Sequence, residues 1–144
     1  MTVKILHTSD WHVGRRIRGR DRSEEHRSVL AELVAIAAGA EVQLVVVAGD
    51  VFDASAPTPA AEQIVWRGLL DLAEVAPVVV IAGNHDNPAR LEAVSPLLEM
   101  GRIVACSEPS APDRGGVAYY EEMGIKIAML PFISQRGIVR AEQI

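Results

Sequence analysis

Three short polar clusters, each placed after an apolar run, constrain the fold of this 144-residue chain more than any other feature. The clusters are Asp10-Trp11-His12, Gly49-Asp50-Val51-Phe52-Asp53 and Gly83-Asn84-His85-Asp86. Each apolar run is short and rich in β-branched residues, which is typical of a strand. In an open α/β sheet, ligands bind outside the carboxyl ends of the parallel strands. We therefore expect the three clusters to converge on one site.

The apolar spacing between the clusters predicts a β-α-β-α-β order and a parallel sheet with right-handed crossovers. The predicted strands cover residues 3–6, 44–48 and 78–82, and the predicted helices cover residues 23–39, a segment from Pro59, and 88–100 with a bend or break near Pro96. The inward helix faces are expected to carry Val29, Leu30, Leu33, Val34 and Ala37, then Ile64, Val65, Leu69 and Leu72. Because the second strand is continuously apolar, we expect helices to cover both of its faces.

Beyond Gly101 the pattern changes to one that predicts sheet edges. A short strand is expected at residues 103–105, followed by a polar loop over residues 107–116 that is rich in Ser, Pro, Asp and Gly. An antiparallel pair is expected at residues 117–120 and 125–130, joined by a turn.

Composition limits the class of protein. A hydrophobic content of 49% over 144 residues predicts one folded domain. The apolar stretches are too short for a membrane helix and the N-terminus lacks a signal pattern, so a cytoplasmic protein is expected. The single cysteine, Cys106, cannot form an internal disulfide and is expected to be a packed or half-exposed thiol.

Charge is distributed unevenly along the chain. The net charge of −5 argues against binding nucleic acid by bulk positive charge. One segment, however, carries five cations, namely Arg15, Arg16, Arg18, Arg20 and Arg22. Gly14 and Gly19 make this segment loop-like. Contacts from Arg15, Arg16 and Arg18 to the phosphates of DNA are one interpretation, and a solvated surface loop is the other.

The residue types in the clusters suit a metal site. In an extended backbone residues i and i+2 point the same way, so Asp10 and His12 are expected to reach one ion together. Asp50 ends the most apolar strand without a neighbouring cation in sequence, and a buried carboxylate is costly unless it is paired or metal-bound. Asn84 adds a neutral carbonyl oxygen. This mixture of oxygen and imidazole ligands favours Mn, Fe or Zn. Asp53 is expected to support the site from behind the ligands or to cap its loop.

The clusters, read in order as S-D-W-H-V-G, G-D-V-F-D and G-N-H-D, resemble motifs one to three of the calcineurin-like metallophosphoesterases. The resemblance implies the α/β fold of that family, with layered β-sheet flanked by helices and a two-metal site. The continuations through Arg15 and from Asn87 to Leu91 are similar to those of the family's DNA nucleases.

The resemblance also implies how the metal ions would be held. Asp10 and His12 would bind one ion. Asp50 would bridge both ions, and Asn84 would bind the second. The implied cofactors are two divalent ions, Mn²⁺ above Mg²⁺.

A nuclease of this kind implies a catalytic group, a substrate and partners. His85 would stabilise or protonate the leaving oxygen of the phosphate, and Asp86 would orient its ring. The implied substrate is DNA, cut at ends and hairpins during recombination, replication and repair. The implied assembly is a homodimer working with an SMC-like ATPase subunit, with no membrane involved.

This sequence departs from the family pattern in its histidines. A complete site takes three more histidines from later motifs, whereas this chain has only His7, His12, His26 and His85. We expect neither His7, in the first strand, nor His26, on the first helix, to replace them. Residues 1–144 are therefore expected to be the N-terminal part of a metallophosphoesterase nuclease domain, incomplete at its C-terminus.

Two alternatives stay open. One is a phosphomonoesterase or cyclic-nucleotide phosphodiesterase on the same scaffold. Protein phosphatases of this superfamily carry Arg-Gly after the second motif and Glu after Asn-His, whereas here Asp53 precedes Ala54-Ser55 and His85 precedes Asp86. Cyclic-nucleotide enzymes share Asn-His-Asp, so only the nuclease-like continuations argue against them. The other alternative is a truncated, non-catalytic binding module.

Overall fold

A computed structural model describes residues 2–135 and contains one four-stranded parallel sheet. Its strands, in spatial and sequence order, are β1 (Ile5–Thr8), β2 (Leu44–Val47), β3 (Val78–Ile81) and β4 (Ile103–Cys106). The helices between them are α1 (Ser23–Gly39), α2 (Pro59–Val75) and α3 (Pro88–Met100). The predicted β-α-β-α-β order is confirmed. The first strand begins two residues later than predicted, because Ile5 to Thr8 are the residues that pair with Leu44 to Val47.

Local sequence explains where two of the helices begin. The Thr58 hydroxyl accepts a hydrogen bond from the Ala61 amide (3.2 Å), and Pro59 occupies the first position of α2. Asn87 accepts from the Arg90 amide (3.2 Å) at the start of α3 in the same way. The predicted break at Pro96 is wrong, because α3 runs unbroken from Pro88 to Met100.

The two faces of the sheet are covered differently. Alternate strand residues such as Val45 and Val80 point to one face, where they pack in a core shared with all three helices. The prediction that helices cover both faces is therefore wrong. Strands that follow one another in space in sequence order, joined by right-handed crossovers, place every helix on the same face.

The opposite face is covered by an antiparallel hairpin, β5 (Val117–Tyr120) and β6 (Ile125–Ala128). The predicted pairing is confirmed, but the hairpin forms a second sheet instead of an edge of the first, and its second strand ends at Ala128. Leu44, Val79 and buried Cys106 pack against it. The layers are therefore helix, parallel sheet and hairpin.

The helices of the described region do not suggest a membrane span. Between residues 2 and 135, no helix has both the length and the apolarity that crossing a bilayer requires.

Candidate metal centre

The loops after β1 and β2 run side by side, held by backbone hydrogen bonds. The amides of Asp10, His12 and Val13 donate to the carbonyls of Gly49, Asp50 and Val51, each at 3.0 Å. These bonds continue the parallel pairing of the strands beyond the sheet. The first two polar clusters are thus brought together by main chain, as the shared edge of a parallel sheet predicts.

Three ligand candidates have left-handed backbone conformations. The φ angles are 56° at Asp10, 47° at His12 and 53° at Asp50. The predicted extended geometry of Asp10 and His12 is therefore wrong, although both side chains do reach the same place. Non-glycine residues rarely adopt positive φ, and such strain is concentrated at functional sites.

The side chains of these three residues converge. His12 Nε2 lies 3.6 Å from Asp10 Oδ1 and 3.8 Å from Asp50 Oδ2. The ligand atoms of the three residues all lie within 4.8 Å of one another. The Asp50 side chain is 12% exposed and that of Asp10 is 64% exposed, so one carboxylate is sheltered and the other faces solvent. Ser9 Oγ donates to Asp10 Oδ2 (2.5 Å), which leaves Oδ1 facing His12.

Asn84 approaches the same carboxylate from β3. One side-chain amide atom lies 2.9 Å from Asp50 Oδ2 and 3.3 Å from Oδ1. With nitrogen at that position, the amide donates to Asp50. With oxygen there, acceptors face each other, which is favourable only with a cation between them. Asp50 thus faces His12 on one side and Asn84 on the other, the position expected of a bridging ligand.

Two glycines allow this close approach. A Cβ on Gly49, whose φ is +88°, would lie 2.8 Å from both the Cα and the nitrogen of Gly83. A Cβ on Gly83 would overlap Asp50 Oδ1 and the Asp50 amide nitrogen. The second and third clusters can therefore meet only because neither position carries a side chain.

Asp53 contacts both histidines of the site. Its Oδ1 lies 3.2 Å from His12 Nδ1, which leaves His12 Nε2 facing Asp10 and Asp50. The Asp53 carbonyl oxygen lies 2.7 Å from His85 Nδ1. A carboxylate or carbonyl behind a histidine fixes which ring nitrogen is available for a ligand. The supporting carboxylate was expected from the sequence. The carbonyl contact was not, because every residue has a carbonyl and no side-chain pattern marks this one.

His85 is exposed and lies beside the three converging residues. Its ring centre is 4.8 Å from that of His12 in an edge-to-face arrangement, and its amide donates to Asp50 Oδ1 (2.9 Å). The Asp53 carbonyl, which accepts from Nδ1, raises the pKa of His85, and nearby carboxylates add to this effect. His85 Nε2 is left as the ring nitrogen that can meet a substrate.

Comparison with known proteins identifies the fold family. The sequence model of the family described as calcineurin-like phosphoesterase matches residues 3–134. The chain belongs to the calcineurin-like phosphoesterase family. The resemblance seen in the three motifs is thereby confirmed.

Relatives within the calcineurin-like phosphoesterase family share one name, that of SbcD in the nuclease SbcCD. The protein of Bacillus subtilis (strain 168) is 47% identical over 110 residues, covering 75% of this chain and 28% of the relative. That of Rhodobacter capsulatus is 35% identical over 144 residues (97% of this chain, 34% of the relative). That of Escherichia coli (strain K12) is 32% identical over 146 residues (97% and 35%). The chain thus spans about a third of the length of these relatives.

Asp86 has a different role from the one predicted for it. It is buried, and it accepts from the amides of Phe52 (3.0 Å) and Gly83 (2.8 Å). It therefore joins the second and third motifs of this phosphoesterase, whereas the His85 ring is oriented by Asp53. Asp86 is better described as a positioning residue.

Replacing Asp86 with Asn should lower the free energy of unfolding by about 2 kcal/mol. The amide has one acceptor oxygen for two buried N–H donors, and a buried donor left unpaired costs about 1–3 kcal/mol. Urea denaturation should show a lower midpoint at an unchanged slope. The control is Asp113→Asn, at an exposed position, which should leave the midpoint unchanged. Equal midpoints for the two variants would contradict this role.

The arginine-rich segment of this phosphoesterase is a loop, as predicted. Ile17 and Arg20 exchange backbone hydrogen bonds around a turn with positive φ at Arg18 (50°) and Gly19 (75°). Arg16 donates to the Gly19 carbonyl from Nε (3.2 Å) and from its terminal guanidinium nitrogen (2.6 Å). Arg15, Arg16 and Arg18 are exposed, and their contacts with DNA stay a prediction.

The two remaining histidines lie outside the site. His7 is an exposed residue of β1, and His26 lies in the first turn of α1. The metal-ligand groups found among residues 2–135 contain neither of them.

Proposed function

We propose that this chain forms the N-terminal part of a metal-dependent DNA nuclease that hydrolyses phosphodiester bonds with two divalent ions. The observation that carries the proposal is the convergence of Asp10, His12 and Asp50, with Asn84 against Asp50. Membership of a phosphoesterase family limits the chemistry to phosphate esters. The nuclease name shared by its relatives favours a DNA phosphodiester over a monoester or a cyclic nucleotide.

The donor set fits divalent metal ions. In this proposal Asp10 and His12 hold one ion, Asp50 bridges, and Asn84 holds the second. Carboxylate and amide oxygens together with one imidazole suit Mn²⁺ better than a purely oxygen-lined site would, and Mg²⁺ is the second choice. Like-charged Asp10 and Asp50 on either side of His12 also favour a cation between them.

The residues of the chain divide the catalytic work. When bound, the ions would polarise the phosphate and lower the pKa of the attacking water. His85, with Nδ1 held by the Asp53 carbonyl, presents Nε2 to donate a proton to the leaving oxygen. Asp53 keeps His12 Nε2 turned toward the two carboxylates.

The partners in this proposal follow the relatives. Their name describes each of them as one subunit of the nuclease SbcCD. We propose that this protein likewise works as a homodimer with an SbcC-type, SMC-like ATPase in recombination, replication and repair of DNA. Arg15, Arg16 and Arg18 would contact DNA phosphates. Cytoplasmic location is part of the same proposal.

The test is cleavage of a labelled DNA hairpin by the natural polypeptide that carries residues 1–144, with its ATPase partner. We expect cleavage that depends on Mn²⁺, together with hydrolysis of bis-p-nitrophenyl phosphate. His85→Ala should reduce hairpin cleavage about a hundredfold or more, as expected on losing a general acid, while Mn²⁺ binding persists. Hydrolysis of a phosphomonoester without hairpin cleavage would overturn the nuclease assignment. Activity on no phosphate ester by the folded protein would favour a binding module.

Replacing Asp53 with Ala should weaken Mn²⁺ binding by about 10- to 100-fold, the usual effect of losing the partner behind a ligating histidine. Isothermal titration calorimetry with Mn²⁺ measures this directly. The Asp53 carbonyl is unchanged by the substitution, so nitrogen NMR should show the same His85 tautomer as in the unsubstituted protein. Asp53→Asn, which keeps an acceptor oxygen, should recover part of the affinity. Wild-type affinity in Asp53→Ala would contradict this prediction.

A further inference from the structure

A cavity of about 390 Å³ adjoins the candidate metal centre. It lies between the loop after β1 and the N-terminal half of α1, and Asp10 and His12 form part of its wall. A ligand in the cavity would therefore lie directly beside a phosphate held at the metal centre. The volume falls in the range of about 300–1,000 Å³ usual for small-molecule sites.

Part of the cavity wall is apolar. Trp11, Val29, Leu30 and Leu33 line it. The periodicity of α1 predicted Val29 as a core residue, yet Val29 is 60% exposed. Trp11 is held in place because its Nε1 donates to Thr8 Oγ1 (3.0 Å). A firmly held indole and exposed aliphatic groups offer a surface for a flat, apolar-faced ligand.

The cavity also contains an unsatisfied polar group. His26 Nδ1 is buried and has no hydrogen-bond partner among the residues that the structure describes. Buried polar atoms are nearly always paired, so an exception calls for an explanation. Burial lowers the pKa of His26, which favours the neutral ring, so Nδ1 can face either a donor or an acceptor according to tautomer.

Cations stand beside these groups. Arg15 and Arg22 line the same cavity. Arg22 Nε donates to Glu25 (2.8 Å), which partly neutralises it, and Arg15 is exposed on the loop. A ligand with a flat face, polar edges and an adjoining phosphate matches this combination, and a nucleotide is such a ligand.

We propose that this cavity binds one unpaired nucleobase of the DNA strand whose phosphate lies at the metal centre. The proposal rests on the proposed nuclease function and adds a specificity site to it. The base packs against the Trp11 and Val29 wall, its polar edge bonds to His26 Nδ1, and Arg15 meets a phosphate. Because a base cannot enter such a cavity while paired, the site favours frayed ends and unpaired loops.

The test is binding of a fluorescently labelled single-stranded oligonucleotide to the natural polypeptide in EDTA, measured by anisotropy. An abasic residue is moved through the oligonucleotide one position at a time. We expect one position at which loss of the base weakens binding about tenfold, in line with the energy of stacking a single base. Val29→Trp, which fills the cavity, should weaken binding of the intact oligonucleotide about tenfold and abolish that position dependence.

The matched control is Ile36→Trp. Ile36 is exposed on the same helix (52%) and does not line the cavity, so this variant should bind like the unsubstituted protein. Equal binding of every abasic oligonucleotide by the unsubstituted protein would overturn the proposal. So would a lowered melting temperature in Val29→Trp with normal binding, which would show that the cavity holds a protein segment. Because no metal is present, these results are independent of hairpin cleavage, which tests the nuclease function.

Discussion

Replacing Asp50 with Asn is expected to abolish Mn²⁺ binding and phosphodiester hydrolysis. Asp50 is the sheltered carboxylate between His12 and Asn84, so it is the residue shared by both proposed ion positions. Loss of a partner behind a ligand already costs about 10- to 100-fold in affinity, and loss of this ligand should cost more than about a hundredfold. Hydrolysis should fall at least about a thousandfold, as when one preorganised charge-stabilising group is removed.

The same substitution should spare the fold. Asn keeps an oxygen that can accept from the His85 amide, as Asp50 Oδ1 does. Removing one of several neighbouring negative charges should leave the melting temperature of the metal-free protein unchanged or slightly higher. Addition of Mn²⁺ should raise that temperature in the unsubstituted protein and not in the variant.

The control for Asp50→Asn is Asp71→Asn. Asp71 is an exposed residue of α2 that faces Arg67 at 3.9 Å, far from the ligand loops in the chain. This variant should bind Mn²⁺ and hydrolyse substrate normally. A Mn²⁺-dependent rise in melting temperature in Asp50→Asn equal to that of the control would contradict the bridging position.

Replacing Gly83 with Ala should be as damaging as removing a ligand, although the added group is one methyl. Its Cβ would overlap both the carboxylate and the backbone nitrogen of Asp50, and neither is the far end of a flexible side chain. The loop after β3 must then move away from that after β2. We expect the free energy of unfolding to fall by about 3 kcal/mol or more, the upper end of overpacking costs. Mn²⁺ binding should be lost as well, because Asn84 moves with the loop.

Gly39→Ala is the matched control for Gly83→Ala. A Cβ at Gly39, the last residue of α1, would meet nothing within 4 Å, and its φ is not in the left-handed region. This change should be neutral or stabilising by up to about 1 kcal/mol, because alanine favours a helix more than glycine does. Urea denaturation and Mn²⁺ titration of both variants give the comparison. A Gly83→Ala protein as stable as Gly39→Ala would show that the two loops do not meet as described.

The sequence predicted most of the framework because its apolar patterns are simple. Strands β2 and β3 are runs of Val and Ile, and the predicted inward face of α2 is buried at Ile64, Val65 and Leu69. The position of the polar clusters followed from the rule that parallel strands end at a common edge.

Other features depend on contacts that residue types do not reveal. The left-handed backbone at Asp10 and His12 arises from hydrogen bonds to the neighbouring loop. The Asp53 carbonyl could not be distinguished from any other before the fold placed it against His85. Asp86 is adjacent to His85 in sequence, which suggested a role on that ring, yet its carboxylate faces the amides of Phe52 and Gly83. Periodicity likewise could not show which apolar residues of α1 face the sheet.

The backbone bonds between the loops after β1 and β2 separate the scaffold from the chemistry. Their donors and acceptors are main-chain atoms, so they persist whichever side chains occupy positions 10, 12 and 50. Left-handed φ narrows the tolerated replacements chiefly to Asn, Asp, His and Gly, which are themselves mostly metal-binding types. Exchange within that small alphabet would retune the preference for one cation over another while the loops keep their course. The framework is therefore suited to evolutionary change of metal selectivity by single substitutions.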